Sequence, residues 1–311
     1  DDAANPIYQV FVKIAKQICP NYFSLIMPSK WMIGGKAVLK PFRKEMMKDK
    51  HLASVFDYED SGFCFNGQHI DGGIMYFYKP TNGNRFLTKR LLTDGNSDIV
   101  IRDSRRQAII TKTSKYPSFS QIVSARKPFG ISTDIFNNKS VYTEYKLSDK
   151  PFVNSALLWG VYGIKGGAKR ITSYIAIDAI TKNKAWINKY KLFISKAYSA
   201  DAIVPPEIIL ASPNVICSET FLVIGPFDNS IEQQNVNKYL KSNFFRILLF
   251  FGRGTMQVSQ DVFRFVPLQD FTSKSDIDWS KSIPEIDQQL YAKYSLSEDE
   301  ISFMESMIRP M

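Results

Sequence analysis

Pro20-Asn21-Tyr22-Phe23-Ser24-Leu25-Ile26-Met27-Pro28-Ser29-Lys30-Trp31-Met32-Ile33-Gly34-Gly35-Lys36 is the stretch that decides the fold. Its centre, Tyr22 to Met27, is an apolar and aromatic run too short for a stable helix. Pro28, which has no amide to donate, closes it, so it reads as a buried strand. Upstream, Ile7, Val10, Phe11, Ile14, Ala15 and Ile18 recur at helical spacing and share one face, and Pro20 ends that helix. Downstream, Lys36 to Lys50 has helical spacing through Val38, Leu39, Phe42 and Met46, with Pro41 placed in the first turn. Leu52 to Phe56 and Ile74 to Tyr78 follow as two further strands. Helix, strand, helix, strand, strand is the order expected of the second half of a Rossmann-like α/β sheet that ends in a hairpin.

Beyond this region the pattern changes. Thr93 to Lys115 is polar and basic, with Arg102, Arg105, Arg106, Lys112 and Lys115, and reads as a partly helical connector. From Pro117 to Phe271 short strand-like runs, such as Leu157 to Tyr162 and Thr220 to Ile224, alternate with Gly, Pro and Asn. One long helix, Ile231 to Phe251, follows the capping residues Asp228, Asn229 and Ser230. A short terminal helix is announced by Ser297 and Glu300 at capping-box spacing. The expected fold class is therefore α/β plus α+β. Half a cofactor-binding sheet occupies residues 1–92 and a basic connector 93–116. A mixed α+β domain fills 117–272, and an acidic tail with a short helix completes 273–311.

Composition narrows the function. The chain carries a net charge of +10 and a pI near 9.3, although Asp276 to Glu305 is acidic, so the surplus belongs to the body of the chain. Such a surplus attracts polyanions, and with no amphipathic membrane helix in view the expected one is nucleic acid. No apolar run has the length to cross a bilayer, and the acidic start offers no signal peptide. Cys19, Cys64 and Cys217 fit no zinc or redox spacing, and their odd number suits a reducing cytoplasm. Two histidines, His51 and His69, leave little for metal chemistry.

The quoted stretch resembles the strand–"PSRW"–"GGKG" segment of gamma-type N6-adenine methyltransferases from restriction–modification systems. That group includes enzymes that fuse endonuclease, methylase and specificity domains in one chain. The likeness continues through Phe42-Arg43-Lys44-Glu45-Met46, Val55-Phe56-Asp57-Tyr58 and Cys64-Phe65 to Asp71-Gly72-Gly73-Ile74-Met75-Tyr76-Phe77. It resumes at Lys127-Pro128-Phe129-Gly130, at Cys217-Ser218-Glu219-Thr220, and at Ile224-Gly225-Pro226-Phe227. Phe265 to Phe271 and Ile301 to Met311 complete it. The resemblance implies a target-recognition domain over 117–272, double-stranded DNA as partner and S-adenosylmethionine as cofactor of the intact enzyme. Magnesium enters only if a nuclease domain is fused to it. The family's glycine-rich donor-binding turn and Asn/Asp-Pro-Pro-Tyr loop are both expected upstream of residue 1. No catalytic residue is then expected within this chain, and the fragment alone is expected to be inactive. The alternative is a stand-alone DNA-binding specificity subunit that partners a separate methylase or restriction subunit.

Adenine methylation requires the base to leave the duplex and stack in a pocket. The resemblance puts an aromatic twelve residues before Phe77, which is Phe65; the plainer reading is a loop-anchoring aromatic. For DNA contact, the Gly-rich basic stretch from Tyr162 to Arg170 offers Lys165, Lys169 and Arg170, against the bland alternative of a solvated hairpin tip. A second run interleaves Lys182, Lys184, Lys189 and Lys191 with Trp186, and Lys196, Arg246 and Arg253 are further candidates. Three decoys are set aside. Asn5-Pro6-Ile7-Tyr8 lacks a preceding strand and a second proline. Phe251-Gly252-Arg253-Gly254-Thr255 follows a helix instead of a strand. Glu144-Tyr145-Lys146 with Asp134 has a nuclease-like form that is common by chance.

Overall fold

The computed structural model describes residues 6–18, 22–32, 39–49, 54–58, 61, 64–65, 70, 73–80, 92–93, 100–101, 104–136, 147–164, 167–197, 207–253 and 257–307. The chain is mixed α/β and divides into two compact units. One is Asp1–Lys112 with Arg253–Met256; the other is Thr113–Gly252 with Gln257–Met311.

The first unit opens with helix α1 (Tyr8–Ile18), strand β1 (Tyr22–Pro28), a 3-10 turn at Ser29–Met32 and helix α2 (Leu39–Lys48). Strands β2 (Ser54–Tyr58) and β3 (Ile74–Pro80), two short paired strands β4 (Leu92–Thr93) and β5 (Val100–Ile101), and helix α3 (Ser104–Thr113) follow. Strand order in the main sheet is β1-β3-β2, and β3 runs antiparallel to both neighbours. β1 and β2 therefore point the same way, joined by a crossover through α2, and the last strand folds back between them. Met75 on β3 faces Met27 and Asp57 across the two ladders.

The decisive stretch supplies this unit's core. Trp31 is fully buried among Val12, Met27, Met32, Leu39, Phe42, Met46 and Met75, and its indole N–H donates to the Met75 sulfur at 3.2 Å. Arg43, also buried, donates to the Trp31 carbonyl. The Ser29 hydroxyl donates to Asp57 Oδ1 at 2.7 Å, tying the end of β1 to β2. Helix α1 turns Val12 inward, but Ile7, Val10, Phe11, Ile14 and Ile18 face solvent. The periodic stripe identified in the sequence is thus an open face of the helix.

Among its described residues the second unit forms two three-stranded sheets. Strands β6 (Ser155–Ile164) and β7 (Gly167–Ala176) form an antiparallel hairpin, with β10 (Val215–Cys217) parallel to β6. β8 (Tyr190–Ser195) lies between β9 (Ile208–Ala211) and β11 (Phe221–Phe227), all antiparallel. Side chains of both sheets share one core, with Leu158 and Ile175 from the first and Phe193, Phe221 and Val223 from the second. Gly160 is required where β6 meets Phe136, because a Cβ there would lie 2.1 Å from its ring. β8 and β11 are buried on both faces, since helix α4 (Ser230–Lys241) packs on the outer side of their sheet.

The long helix expected over Ile231 to Phe251 is two helices, α4 and α5 (Asn243–Gly252). Ser242 between them is extended. Its hydroxyl donates to the Tyr239 carbonyl at 2.8 Å and accepts from the Phe245 amide at 3.1 Å, so one side chain ends one helix and starts the next. The acidic end carries two helices, α6 (Ile283–Lys293) and α7 (Glu298–Met307), the second capped by Ser297 and Glu300. Both pack against α5. Leu290, Tyr291, Tyr294, Phe303 and Met304 are buried there.

Candidate nucleic-acid interface

The β6–β7 hairpin presents the Gly-rich basic stretch at its turn. Lys165 and Gly166 lie outside the described residues, and Lys169 sits in β7 opposite Tyr162. Arg170 is exposed. Its Nη1 donates to Glu207 Oε1 at 2.6 Å and its Nη2 to Oε2, while the guanidinium lies 5.7 Å from the centre of the Trp159 ring. This arginine is already paired, and a phosphate contact would have to compete with Glu207.

The second basic run begins as an exposed turn. Lys182 is exposed, Lys184 opens a 3-10 turn ending at Trp186, and Asn183 holds a left-handed backbone at φ 49°. Lys189 pairs with Asp228 at 2.5 Å. Of this run, Lys182 and Lys184 are the cations most open to a polyanion.

Three predicted contacts are corrected by burial. Lys191 is fully enclosed. Its ammonium donates to the carbonyls of Lys189 at 2.7 Å, Ile187 at 3.1 Å and Ser212 at 3.4 Å, which fixes the base of the basic run from inside. β8 has no solvent face, so a lysine at its second position must point inward. Arg246 on α5 and Arg253 beyond it are also buried. A phosphate can reach none of these three in this conformation. Burial pulls the Lys191 pKa down to about 8, with the Cys217 thiol opposing.

A lysine with a depressed folded pKa binds fewer protons folded than unfolded, so its contribution to stability grows as pH rises through about 8 toward its unfolded value. Burial pushes the Cys217 thiol up, which acts in the opposite sense above its own unfolded value. Lys191 in turn draws the thiol pKa down against that burial. Lys191→Met therefore leaves the thiol protonated to still higher pH, and the difference between wild type and variant reads the lysine together with its coupling to the thiol. That difference, from denaturant unfolding, is expected to shift in favour of the wild type by about 1–2 kcal/mol between pH 8 and 9.5. A flat difference would show that the lysine does not titrate in this range.

Sequence reasoning does not single out two cations that the fold places beside Lys196. Arg126 and Lys127 stand on the loop from Ser124 to Thr133, where both approach Glu219. Two adjacent cations ahead of a Pro-x-Gly turn are the signal that could have marked them.

In the first unit, Phe65 is 41% exposed, and its amide donates to the Ser61 carbonyl at 2.9 Å. Its ring is accessible, as stacking on a base requires and as an ordinary loop aromatic also allows. Of the decoys, Tyr8 opens α1 and Gly252 closes α5, while Asn5, Gly254, Thr255 and Glu144 to Lys146 lie outside the described residues. Among the described residues no group of His, Cys, Asp or Glu is arranged for a metal ion. No helix among the described residues is long and apolar enough to cross a membrane.

The family match falls within the first unit. Residues 1–65 match the family described as Eco57I restriction-modification methylase. A protein of Mycoplasma pneumoniae described as an uncharacterized adenine-specific methylase is 30% identical over 112 residues, covering 35% of this chain and 26% of that protein. Among solved structures, the type IIG restriction endonuclease BpuSI aligns over 97% of this chain and 48% of its own, at 12% identity and a TM-score of 0.40. The chain thus spans about a quarter of the length of the curated relative and about half that of the solved one.

Proposed function

We propose that this chain is part of a site-specific adenine-N6 DNA methyltransferase of a restriction–modification system. In this reading the first unit contributes the gamma-type, C-terminal part of the donor-binding sheet, and the second contributes the target-recognition domain. The observation that carries it is the methylase match over residues 1–65, which falls on the segment running from α1 through β2. Two features of the first unit support it. The order β1-β3-β2 is what an open α/β sheet adopts when its last strand returns as a hairpin. Helix α1 is apolar on two sides, with Val12 buried while Phe11 and Ile18 are exposed, as suits a helix packed between layers of a larger α/β domain.

S-adenosylmethionine is the methyl donor in this reading, duplex DNA the substrate, and Phe65 the platform for the extruded adenine. The basic balance of the chain and the exposed Lys182 and Lys184 serve the DNA backbone. The test is methylation of duplex DNA by the full polypeptide that carries this chain, using labelled donor and nucleoside analysis of the product. N6-methyladenine at a defined site is the expected result. Transfer to cytosine, or to no base at all, would overturn the reading.

A further inference from the structure

The loop from Ser124 to Thr133 is built as a rigid mount. The Ser124 amide donates to the Val223 carbonyl at 2.8 Å, and its hydroxyl accepts from the Val223 amide at 2.9 Å, fastening one end to β11. Phe129 is fully buried in the core shared by the two sheets. Asn183 Nδ2 donates to the Pro128 carbonyl at 2.7 Å. Gly130 has φ +82°, and a Cβ there would lie 2.1 Å from Thr181 Oγ1 and 3.7 Å from Lys182 Cγ. This loop and the exposed turn carrying Lys182 are therefore in direct contact.

Around this mount the cations outnumber the anions. Glu219 uses Oε1 to accept from the Ser132 hydroxyl at 2.7 Å and the Thr133 amide at 3.4 Å. That leaves Oε2, which Arg126 reaches with Nε and Nη2 at 3.3 Å each and Lys127 with Nζ at 3.7 Å. These are long contacts shared on a single oxygen, and the Arg126 side chain stays 74% exposed. Lys196 follows β8 into the same neighbourhood. Partial burial and then the Arg126 charge hold its ammonium below the ordinary lysine range, with Glu219 opposing and Lys127 adding. Burial alone would push the Glu219 carboxyl up. The Ser132 hydroxyl, the Lys127 charge, the Thr133 amide and Arg126 instead hold it below the usual carboxylate range, so it stays ionised. Asp134, which accepts from the same Ser132 hydroxyl at 3.3 Å, is a second carboxylate beside the group, so three cations against two carboxylates leave a surplus of one positive charge.

We propose that Arg126, Lys127 and Lys196, gathered around Glu219, form a contact site for the phosphate backbone of duplex DNA. Glu219 is the positioning residue: it ties both ends of the loop together and aims the cations without neutralising them. A phosphate oxygen offers the unused guanidinium and ammonium donors the charge-assisted partners they lack. Backbone contacts fix register without reading sequence, which suits a site made of main-chain turns and long cations. The proposal rests on the DNA-binding reading of this unit.

The test is the salt dependence of binding by the full chain to short duplexes of unrelated sequence. Each phosphate contact contributes about 0.9 to the slope of log affinity against log salt. Arg126→Gln combined with Lys127→Asn, the asparagine chosen because Lys127 sits at φ 55°, is expected to make the slope shallower by about 2 and to weaken all duplexes alike. Lys196→Gln alone is expected to change it by about 1, and Lys274→Gln, in the acidic end of the chain, to leave it unaltered. If the wild type binds and the double loop variant and Lys196→Gln both keep its slope, this site falls while the DNA reading stands. If the wild type shows no salt-dependent binding to any duplex, the reading of the whole unit falls, and the site with it.

Discussion

Phe119→Ala is expected to destabilise the second unit by about 3–5 kcal/mol, the usual result of emptying a fully enclosed aromatic site. Phe119 is wholly buried at the centre of a ring cluster. Its centroid lies 5.1 Å from Phe245 in an edge-to-face contact, 5.8 Å from Tyr239, 5.9 Å from Phe263 and 6.4 Å from Phe271. These rings come from α4, from α5 and from the segment that leads to Phe271, so no single element can relax into the space. The backbone is fixed as well: the Phe119 amide donates to the Val266 carbonyl at 2.7 Å, and the Leu268 amide to the Pro117 carbonyl at 2.7 Å. For a unit of this size the midpoint of thermal unfolding should fall by roughly 2–4 °C per kcal/mol. A loss under 1 kcal/mol by denaturant titration would mean that the cluster collapses around the vacancy and is far softer than its geometry implies.

Asp287→Ala carries the second largest effect. Asp287 on α6 is buried, and its two oxygens accept from the Asn243 and Phe244 amides at 2.9 Å each, capping the start of α5 from a neighbouring helix. Alanine leaves two helix-end amides without acceptors, at an expected cost of about 2–4 kcal/mol. Burial pushes the Asp287 pKa up to about 6, against the two amide hydrogen bonds, with Glu305 adding and Arg246 opposing. A carboxyl with a raised folded pKa binds more protons folded than unfolded. Its contribution to stability therefore grows as pH falls through about 6 toward its unfolded value near 4. Between pH 7 and 5 the wild type should gain about 1 kcal/mol relative to Asp287→Asn. Equal pH profiles for the two proteins would show that the carboxyl does not titrate there.

Much of the first unit was legible because the signals were local. Pro20, Pro28 and the apolar run between them fixed β1, and the pattern through Leu39, Phe42 and Met46 fixed α2 to within a turn. What α1 faces was not legible: periodicity shows that Ile7, Phe11 and Ile14 share a side, but not what covers it. In the second unit the continuous apolar pattern from Ile231 to Phe251 hid a break, although Ser242-Asn243 ahead of two phenylalanines is itself a helix-start signal. Lys191 was misread for a general reason. A lysine in a basic run looks solvated until its strand is known to be buried on both faces, and only the packing of α4 over the second sheet supplies that. Arg126, Lys127 and Glu219 were illegible together, since Glu219 joins them across more than ninety residues of sequence. Each residue alone is an ordinary surface charge.

The outward side of α1 has a practical meaning for anyone handling this chain. Four large aliphatic and aromatic side chains on the helix, with Ile7 just ahead of it, are exposed and adhesive, and covering each would yield roughly 1.5–3 kcal/mol. A rightful complement and a chance neighbour gain from that burial alike, so concentrated solutions should cloud or form soluble clumps unless detergent or a matching surface is supplied. Turbidity that clears when Phe11 and Ile14 are changed to lysine would trace the stickiness to this one helix.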